Sequence, residues 1–514
     1  MKVRFLIIRM LHYLKEGDYV ENVVDKVISF FSPQRGYARL SYRGAIDEIR
    51  SNYDAGSYHR SNWRAINQNA QITDRMDRDV VRARARDLER NSDVMNGVIK
   101  AFKRNVVGSG FKLKITIPEN QELCKELNEL WEEWCKAKNC DITGTQSFTE
   151  ILRMAAVRKK VDGGILFVKV FSKGGLLPFK LQLMEVDSLD LTQKAAHSKN
   201  NRVVDGIEFD EFSKPVGYWF RQFAPDGFTL LPPKYIEAKN VIFYFTKTRP
   251  TQIREISDLS PSVTRVRDIT EFMTAVSVKE RIAACLSVFV KRVMPTAGTG
   301  LGRAGTNGGN LTNYNEKTLA PGMITELNAG DEIQVVNPSG QSSDSAQFIK
   351  IQQRLIASGQ GLSYEATSRD MSESNYSSAR QGIIEDEETY GEEIEQLNNA
   401  MDEIYETFVI SCVLSGAVII PDFWSNKNKY FKHEWVKSPK KWIDPLKEAN
   451  ADKIALSTMQ KTFAELCAEK GKDWKETLEE IAEINKYGEN VGIDIGGILY
   501  GQKKEGNRHT LIAV

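Results

Sequence analysis

The stretch QGIIEDEETYGEEIEQLNNAMDEIYETFVI, from Gln381 to Ile410, is the most regular part of the sequence. Its apolar residues recur at alternating intervals of four and three, which predicts one long helix with a heptad-like packing seam. The same stretch holds ten Asp and Glu and no Lys or Arg, so the rest of its surface is expected to be acidic. The residues expected to form the seam are Tyr390, Ile394, Leu397, Met401, Ile404 and Phe408.

Upstream of this helix, the sequence begins with an arm. The spacing of the apolar residues is then first typical of helices and afterwards typical of strands. Residues 33–78 show little periodicity and are expected to be extended or irregular. Helices are predicted from Asp93, and Ser147-Phe-Thr-Glu150 has the spacing of a capping box. From Gly163 to Phe245 the period is two, which predicts a mostly antiparallel sheet and places the chain in the α+β class. The predicted strands are Ile165–Phe171, Lys180–Val186, Gly206–Phe212, Val216–Phe220 and Val241–Phe245.

Beyond the predicted sheet, Ser260-Pro261 is expected to open a helix that runs to about Lys291, because proline is favoured in the first helical turn. A Gly- and Asn-rich stretch and two β-like pieces follow, at 323–327 and 332–336. A further helix at 344–358 and a polar loop at 359–374 lead into the acidic helix. After it we predict a β-like patch at 417–421, helices from 445 to 486 and a loose tail.

Composition limits the classes of protein. The 514 residues predict two to four domains, and 70 Lys and Arg against 69 Asp and Glu leave almost no net charge. A protein whose main task is to grip nucleic acid usually carries a clear basic excess. The basic excess that does exist lies between Pro33 and Arg104. There, however, Arg82, Arg84 and Arg86 alternate with acidic residues, which favours a surface of salt bridges over a nucleic-acid patch.

Motifs for catalysis or cofactor binding are weak. Gly300-Leu-Gly302-Arg-Ala-Gly305 matches G-x-G-x-x-G, but a dinucleotide site needs that turn between a strand and a helix, and here a helix is predicted before it. No phosphate-binding P-loop, histidine metal pair or nucleophile elbow occurs. The six cysteines have no zinc-type spacing. The sequence therefore predicts a protein that is not an enzyme and binds no metal or cofactor, made in the cytosol without a membrane span.

Motifs along the chain resemble, in order, those of phage portal proteins of the lambda family. The strongest match is Asn375-Tyr-Ser-Ser-Ala-Arg380, just before the acidic helix. The resemblance runs from about residue 78 to 485, and it is weakest in residues 1–60 and 298–315. The other matching motifs are RARARDLERN at 82–91, VGSGF at 107–111, EVD at 185–187, Arg249-Pro250, YEA at 364–366, Trp435 and the WIDPLKEA motif at 442–449.

The resemblance implies a ring-shaped homo-oligomer, typically of twelve subunits, that surrounds a DNA channel at one vertex of a tailed-phage capsid. In this chain, the implied DNA-facing residues of a tunnel loop are Tyr364, Arg369, Asp370 and Ser372. The implied parts are an N-terminal arm (1–77), a wing (78–260), two stem helices (261–291 and 344–358) around a small α/β clip (292–343), the tunnel loop (359–374), the acidic helix with a return to the wing (375–444), and a helical crown with the tail (445–514).

The implied partners are double-stranded DNA, which passes through the channel during packaging and ejection, the terminase large subunit, the major capsid and scaffolding proteins, and a head-tail adaptor. The implied location is the virion, after synthesis in the cytoplasm of the bacterial host. Two alternatives remain at this stage. The heptad-like seam is also compatible with a coiled-coil scaffold or adaptor, and the glycines at 300–305 with a nucleotide-binding nucleic-acid enzyme.

Overall fold

A computed structural model describes residues 32–34, 67–117, 120–284, 288–292, 331–335, 342–437 and 445–491. The chain divides into two compact units, Met1–Asn69 and Ala70–Val514. Only residues 32–34 and 67–69 of the first unit are described. The elements below therefore belong to the second unit. Most of the predicted arm (1–31 and 35–66), the β-like piece at 323–327, the glycines at 300–305 and residues 492–514 of the tail lie outside the described residues.

Helices form the first part of the second unit. The predicted irregular segment 33–78 is wrong from Ala70 onward, because a helix starts there. The buried face of this helix consists largely of Arg78, Arg82 and alanines, so the hydrophobic period that normally reveals a helix is weak. The capping box at Ser147 and Glu150 is present as predicted. The helices are α1 (Ala70–Asn91), α2 (Asp93–Phe102), α3 (Gln121–Trp134), α4 (Ala137–Cys140) and α5 (Phe148–Asp162), and β1 (Phe111–Ile115) follows α2 after a π-helical turn.

Two antiparallel sheets follow, as the period of two predicted. One has three strands in the order β3-β2-β8, and the other has four strands in the order β4-β5-β6-β7. Every described strand pair in them is antiparallel. This mixture of helices and antiparallel sheets confirms the α+β class. The strands are β2 (Gly164–Phe171), β3 (Phe179–Glu185), β4 (Arg202–Val204), β5 (Ile207–Phe209), β6 (Pro215–Phe223), β7 (Leu230–Glu237) and β8 (Val241–Phe245).

The helix predicted from Pro261 to Lys291 is shorter than expected. Helix α6 spans Val263–Ala284, and Val288–Arg292 is a strand, β9, that pairs antiparallel with β10 (Asp331–Val335). The β-branched and aromatic residues Val288, Phe289 and Val290 of β9 favour a strand over a continued helix. Helix α7 (Ser342–Gly359) then runs close to its predicted bounds.

The predicted acidic helix is present, and it extends beyond both ends of the stretch 381–410. The short helix α8 (Tyr364–Ser368) precedes α9, which spans Tyr376–Ser415 and is capped by the side chain of Asn375. The β-like patch predicted at 417–421 is wrong, since that segment forms no strand. Its residues do alternate between buried Val418, exposed Ile419 and buried Ile420, but no strand pairs with them among the residues described.

The last elements include a strand that pairs with β1, and three more helices follow it. A short helix α10 (Lys427–Tyr430) leads to strand β11 (His433–Lys437), which pairs antiparallel with β1. The helices predicted from 445 onward are present as α11 (Pro445–Ser457), α12 (Phe463–Glu469) and α13 (Trp474–Val491).

The core lies between the early helices and α9. The Trp131 ring stacks on Trp134 at 5.0 Å and meets Phe408 of α9 edge-on at 5.0 Å. Trp134 and Phe408 are fully buried. Because aromatic pairs of this geometry add to the free energy gained by burial, the cluster fixes α9 against α3.

Candidate nucleic-acid interface

The segment that was expected to face DNA, residues 359–374, is folded onto α9. Ser363 caps α8 by accepting a hydrogen bond from the backbone N–H of Ala366 at 3.2 Å. The Ser363 backbone N–H and hydroxyl in turn donate to the carboxylate of Asp386 at 2.6 and 2.7 Å. The prediction of a plain polar loop therefore needs a correction. A helix of five residues is too short to leave a periodic signal in the sequence.

The four predicted DNA-facing residues lie close together around the end of α8. The Tyr364 hydroxyl donates to Asp370 Oδ2 at 3.2 Å, and the Ser372 backbone N–H donates to Asp370 Oδ1 at 3.0 Å. Hydrogen bonds from Ser372 hold the pKa of Asp370 below its ordinary value, so this carboxylate stays ionised. Arg369 is exposed in the left-handed region at φ +60°. Arg369 and Ser372 thus face solvent, whereas Tyr364 and Asp370 are half-buried.

Ion pairs fasten this segment to α7. Lys350 Nζ lies 2.7 Å from a carboxylate oxygen of Glu373, and Arg354 lies 3.2 Å from the same oxygen. Both cations also lie 5.5 Å from the centre of the Tyr364 ring, within reach of a cation–π interaction. The sequence analysis missed Lys350 and Arg354. Their spacing of four residues on one helical face was the available signal.

A close backbone contact fixes the segment on its other side. Gly97 of α2 faces the carbonyl of Thr367 in α8, and a Cβ at position 97 would lie 2.7 Å from that oxygen. Glycine is therefore the residue that permits α2 and α8 to approach this closely. Helices α2, α7 and α9 together hold the segment in one place.

The acidic residues of α9 divide into two groups. The members of the first group are half-buried or buried and have polar partners: Ser363 for Asp386, Lys159 for Glu393, Trp435 for Asp402 and Lys169 for Glu403. The second group is exposed and consists of Glu385, Glu387, Glu388, Glu392, Glu395 and Glu406. The acidic character of α9 is thus retained mainly on its solvent face.

The predicted seam faces the interior of the subunit. Five of its residues are at most 3% exposed, and Ile394 is half-buried against the same core. Burial raises the pKa of Tyr390 to about 12, so its hydroxyl stays neutral. Seam residues such as Phe408 contact the Trp131 and Trp134 rings of α3. These contacts are all within one chain.

A buried group of four charges joins α5, α9 and the turn before α6. Lys159 Nζ lies 3.1 Å from Asp258 Oδ2 and also contacts Glu393, while Lys160 lies 3.5 Å from Glu393. Lys160 lies over the Phe102 ring at 3.7 Å. Burial lowers the pKa of Lys160 and raises the pKa of Asp258, because low-dielectric surroundings disfavour both charged forms. The four charges compensate one another.

Ion pairs occupy three arginines of α1 that face the rest of the fold, Arg78, Arg82 and Arg86. Arg78 lies 2.9 Å from Asp205, and Arg82 lies 2.9 Å from both Glu255 and Asp187. Arg86 lies 2.7 Å from Asp162. The side chains of Arg78 and Arg82 are almost completely buried. They hold α1 against the sheets, so these two arginines are unavailable to phosphate.

Two further features bear on function. In the ranges that the structure describes, no group of His, Cys, Asp and Glu is arranged to hold a metal ion. Within the same ranges, no helix is both long and apolar enough to cross a membrane.

Comparison with known proteins identifies the class. The family model described as "Phage portal protein, lambda family" matches residues 57–393. The chain is 24% identical over 434 residues to a probable portal protein of Halomonas phage phiHAP-1, with 81% of this chain and 82% of the relative covered. It is 19% identical to portal protein B of Escherichia phage lambda, with 77% of this chain and 82% of the relative covered.

Solved structures give a weaker likeness. A chain in the neck of an empty gene transfer agent particle is 12% identical, with a TM-score of 0.42 and coverage of 80% of this chain and 95% of that chain. The family model, by contrast, matches well over half of the sequence. The class is therefore that of phage portal proteins. The chain belongs to the lambda family of phage portal proteins, which confirms the resemblance noted in the sequence.

Proposed function

We propose that this chain assembles into a ring of about twelve subunits at one capsid vertex, and that double-stranded DNA is packaged and ejected through the ring's central channel. Membership of the portal family is the observation that carries this proposal. A cyclic ring requires two different, complementary surfaces on each subunit. The subunit itself has no catalytic role, and a terminase large subunit supplies the motive force.

The charge of the subunit supports transport of DNA over tight binding. Each Lys or Arg that neutralises a phosphate adds to affinity by releasing counterions, so a basic channel would hold the duplex. Here Arg78, Arg82 and Lys159 are buried in ion pairs, and the exposed face of α9 is acidic. Segment 359–374 carries one arginine and three carboxylates.

We further propose that segment 359–374 is the tunnel loop, with Arg369 and Ser372 nearest to the DNA. Three helices fix its position, and the ion pairs from Lys350 and Arg354 to Glu373 hold its base. Arg369 and Ser372 are exposed at its outer end. The hydrogen bond between Tyr364 and Asp370 supports the position of Arg369 and Ser372. A single exposed arginine contacts the phosphates of the passing DNA, but it adds too little affinity to hold the duplex in place.

The remaining parts are assigned on the same proposal. The wing is 78–260, the stem contains α6 and α7, the clip includes the β9–β10 pair, and the crown contains α11 to α13. The major capsid and scaffolding proteins and a head-tail adaptor bind the outside of the ring in the virion.

A loop deletion tests the proposed channel contact. Removing Arg369–Ser372 should leave assembly intact and reduce the amount of DNA packaged or retained, because none of these four residues belongs to the hydrophobic core. The matched control is removal of Asp226–Thr229, an exposed hairpin turn between β6 and β7. Packaging that is equal in the loop deletion, the control and the wild type would contradict this role.

A further inference from the structure

The C-terminal helices α11, α12 and α13 have almost no core of their own. Helix α11 has no buried residue, and α12 buries only Leu466 and Cys467. In α13, Gly488 is the only buried position among those described. Helix α11 has 13 residues and α12 only seven, and isolated helices shorter than about 12–15 residues are marginal in water. The segment 445–491 therefore needs additional burial to be stable.

The same helices expose many large apolar side chains on several sides. Exposed apolar patches on soluble proteins mark contact sites, so this concentration of apolar side chains points to a binding partner. In α13 the exposed apolar residues alternate with glutamates, which gives the helix an apolar and acidic surface. The exposed residues of the segment are Leu446, Ile454, Met459, Phe463, Trp474, Leu478, Ile484, Tyr487 and Val491.

A groove between α11 and α12 offers a matching surface. Its apolar lining is Ala449, Leu456 and Leu466. Its charged lining is Asp452, Lys453 and Lys470, with a net charge of +1, and Lys470 lies 3.1 Å from Asp452. Residues 445–472 contain five lysines and four acidic residues, whereas α13 contains two lysines and five glutamates. The groove and α13 are therefore complementary both in apolar character and in the sign of their charge.

We propose that α13 of one subunit binds in the α11–α12 groove of the neighbouring subunit. This inference rests on the ring proposed above, because a ring brings the same segment of successive copies together. The contact joins two different surfaces, which is the heterologous type that closes a cyclic ring. The segment 445–491 then completes its core only in the assembled ring.

Hydrogen exchange of the full-length chain tests this contact. Rings and monomers would be separated by size, and amide exchange would be followed by mass spectrometry. We expect exchange in 474–491 to be at least about tenfold slower in rings, since burial raises the free energy of local opening. Leu478→Asp should abolish that difference. Ala449→Trp fills the groove and leaves the sequence of α13 unchanged. It should also abolish the difference in exchange between rings and monomers.

A matched control separates this contact from a general effect of the substitutions. Leu230→Asp makes the same change at an exposed leucine of β7, and it should leave exchange in 474–491 as in the wild type. Rings in which 474–491 exchanges as fast as in monomers overturn this inference and leave the proposed function standing. Monomers in which 474–491 is already protected from exchange overturn this inference in the same way. A chain that forms no ring overturns both.

Discussion

The buried charges between α5, α9 and the turn before α6 give a sharp prediction for Glu393→Gln. Glu393 contacts Lys159 and Lys160, whose side chains are 3% and 9% exposed. Loss of its charge leaves Asp258 as the acidic partner of both lysines. Removing one member of a buried ion pair typically costs about 3–5 kcal/mol. The lower end, about 3 kcal/mol, applies because Asp258 remains as an acidic partner of both lysines.

Amide exchange in α9 measures this cost locally, which matters because a chain of several domains has no single free energy of unfolding. A loss of about 3 kcal/mol corresponds to a roughly hundredfold faster exchange of the slowest amides of α9. Glu395→Gln is the matched control, since Glu395 lies two residues away and is exposed. Its effect should stay within about 0.5 kcal/mol. Equal effects of the two substitutions would refute the assignment of Glu393 to a buried charge network.

Two further predictions concern packing and pH. Gly97→Ala should loosen α8 and destabilise the fold by about 1–3 kcal/mol, because the added Cβ would press on the carbonyl of Thr367. Faster amide exchange in 364–368 would show this loosening. Burial of Glu208 opposes its ionisation, but hydrogen bonds donated by groups that include the backbone N–H groups of His197 and Ser198 outweigh burial and hold the Glu208 pKa below its ordinary value. Its contribution is therefore present above the ordinary glutamate pKa and lost as pH falls below it. Thermal melts in acid should show this loss in the wild type but not in Glu208→Gln.

Each of these two predictions has a control in the same chain. Gly391 lies in helix α9, and a Cβ added there would have no neighbouring atom within 4 Å, so Gly391→Ala should stabilise the protein by about 0.5–1 kcal/mol. A Gly97→Ala variant that behaves like Gly391→Ala would contradict the close contact. Glu211→Gln, at an exposed site, should keep the wild-type response to acid. If Glu208→Gln also keeps it, Glu208 is not the group responsible.

The sequence predicted elements whose signal is local and strong. Helix α9 was predicted because its apolar period is regular. Helix α1 was missed at its start because Arg78 and Arg82 occupy its buried face, and their ion pairs join residues far apart in sequence. Strand β7 was missed because it contains Pro232 and Pro233, which are tolerated here at the edge of a sheet.

The sequence groups the four candidate residues in one segment but does not reveal how that segment folds. The resemblance located Tyr364, Arg369, Asp370 and Ser372 in one segment, yet it could not show that α8 forms within it. The contacts that hold the segment come from Gly97 of α2 and Glu373 with its partners on α7. Tertiary contacts of this kind leave no period in the sequence.

Electron microscopy of the purified full-length chain tests the central claim most directly. Two-dimensional class averages viewed along the axis count the subunits and show whether the assembly has a central opening. We predict closed rings of about twelve subunits, as expected for heterologous contacts that close, with a hole that admits a DNA duplex. Monomers or dimers under every condition, or a closed disc without an opening, would contradict the account.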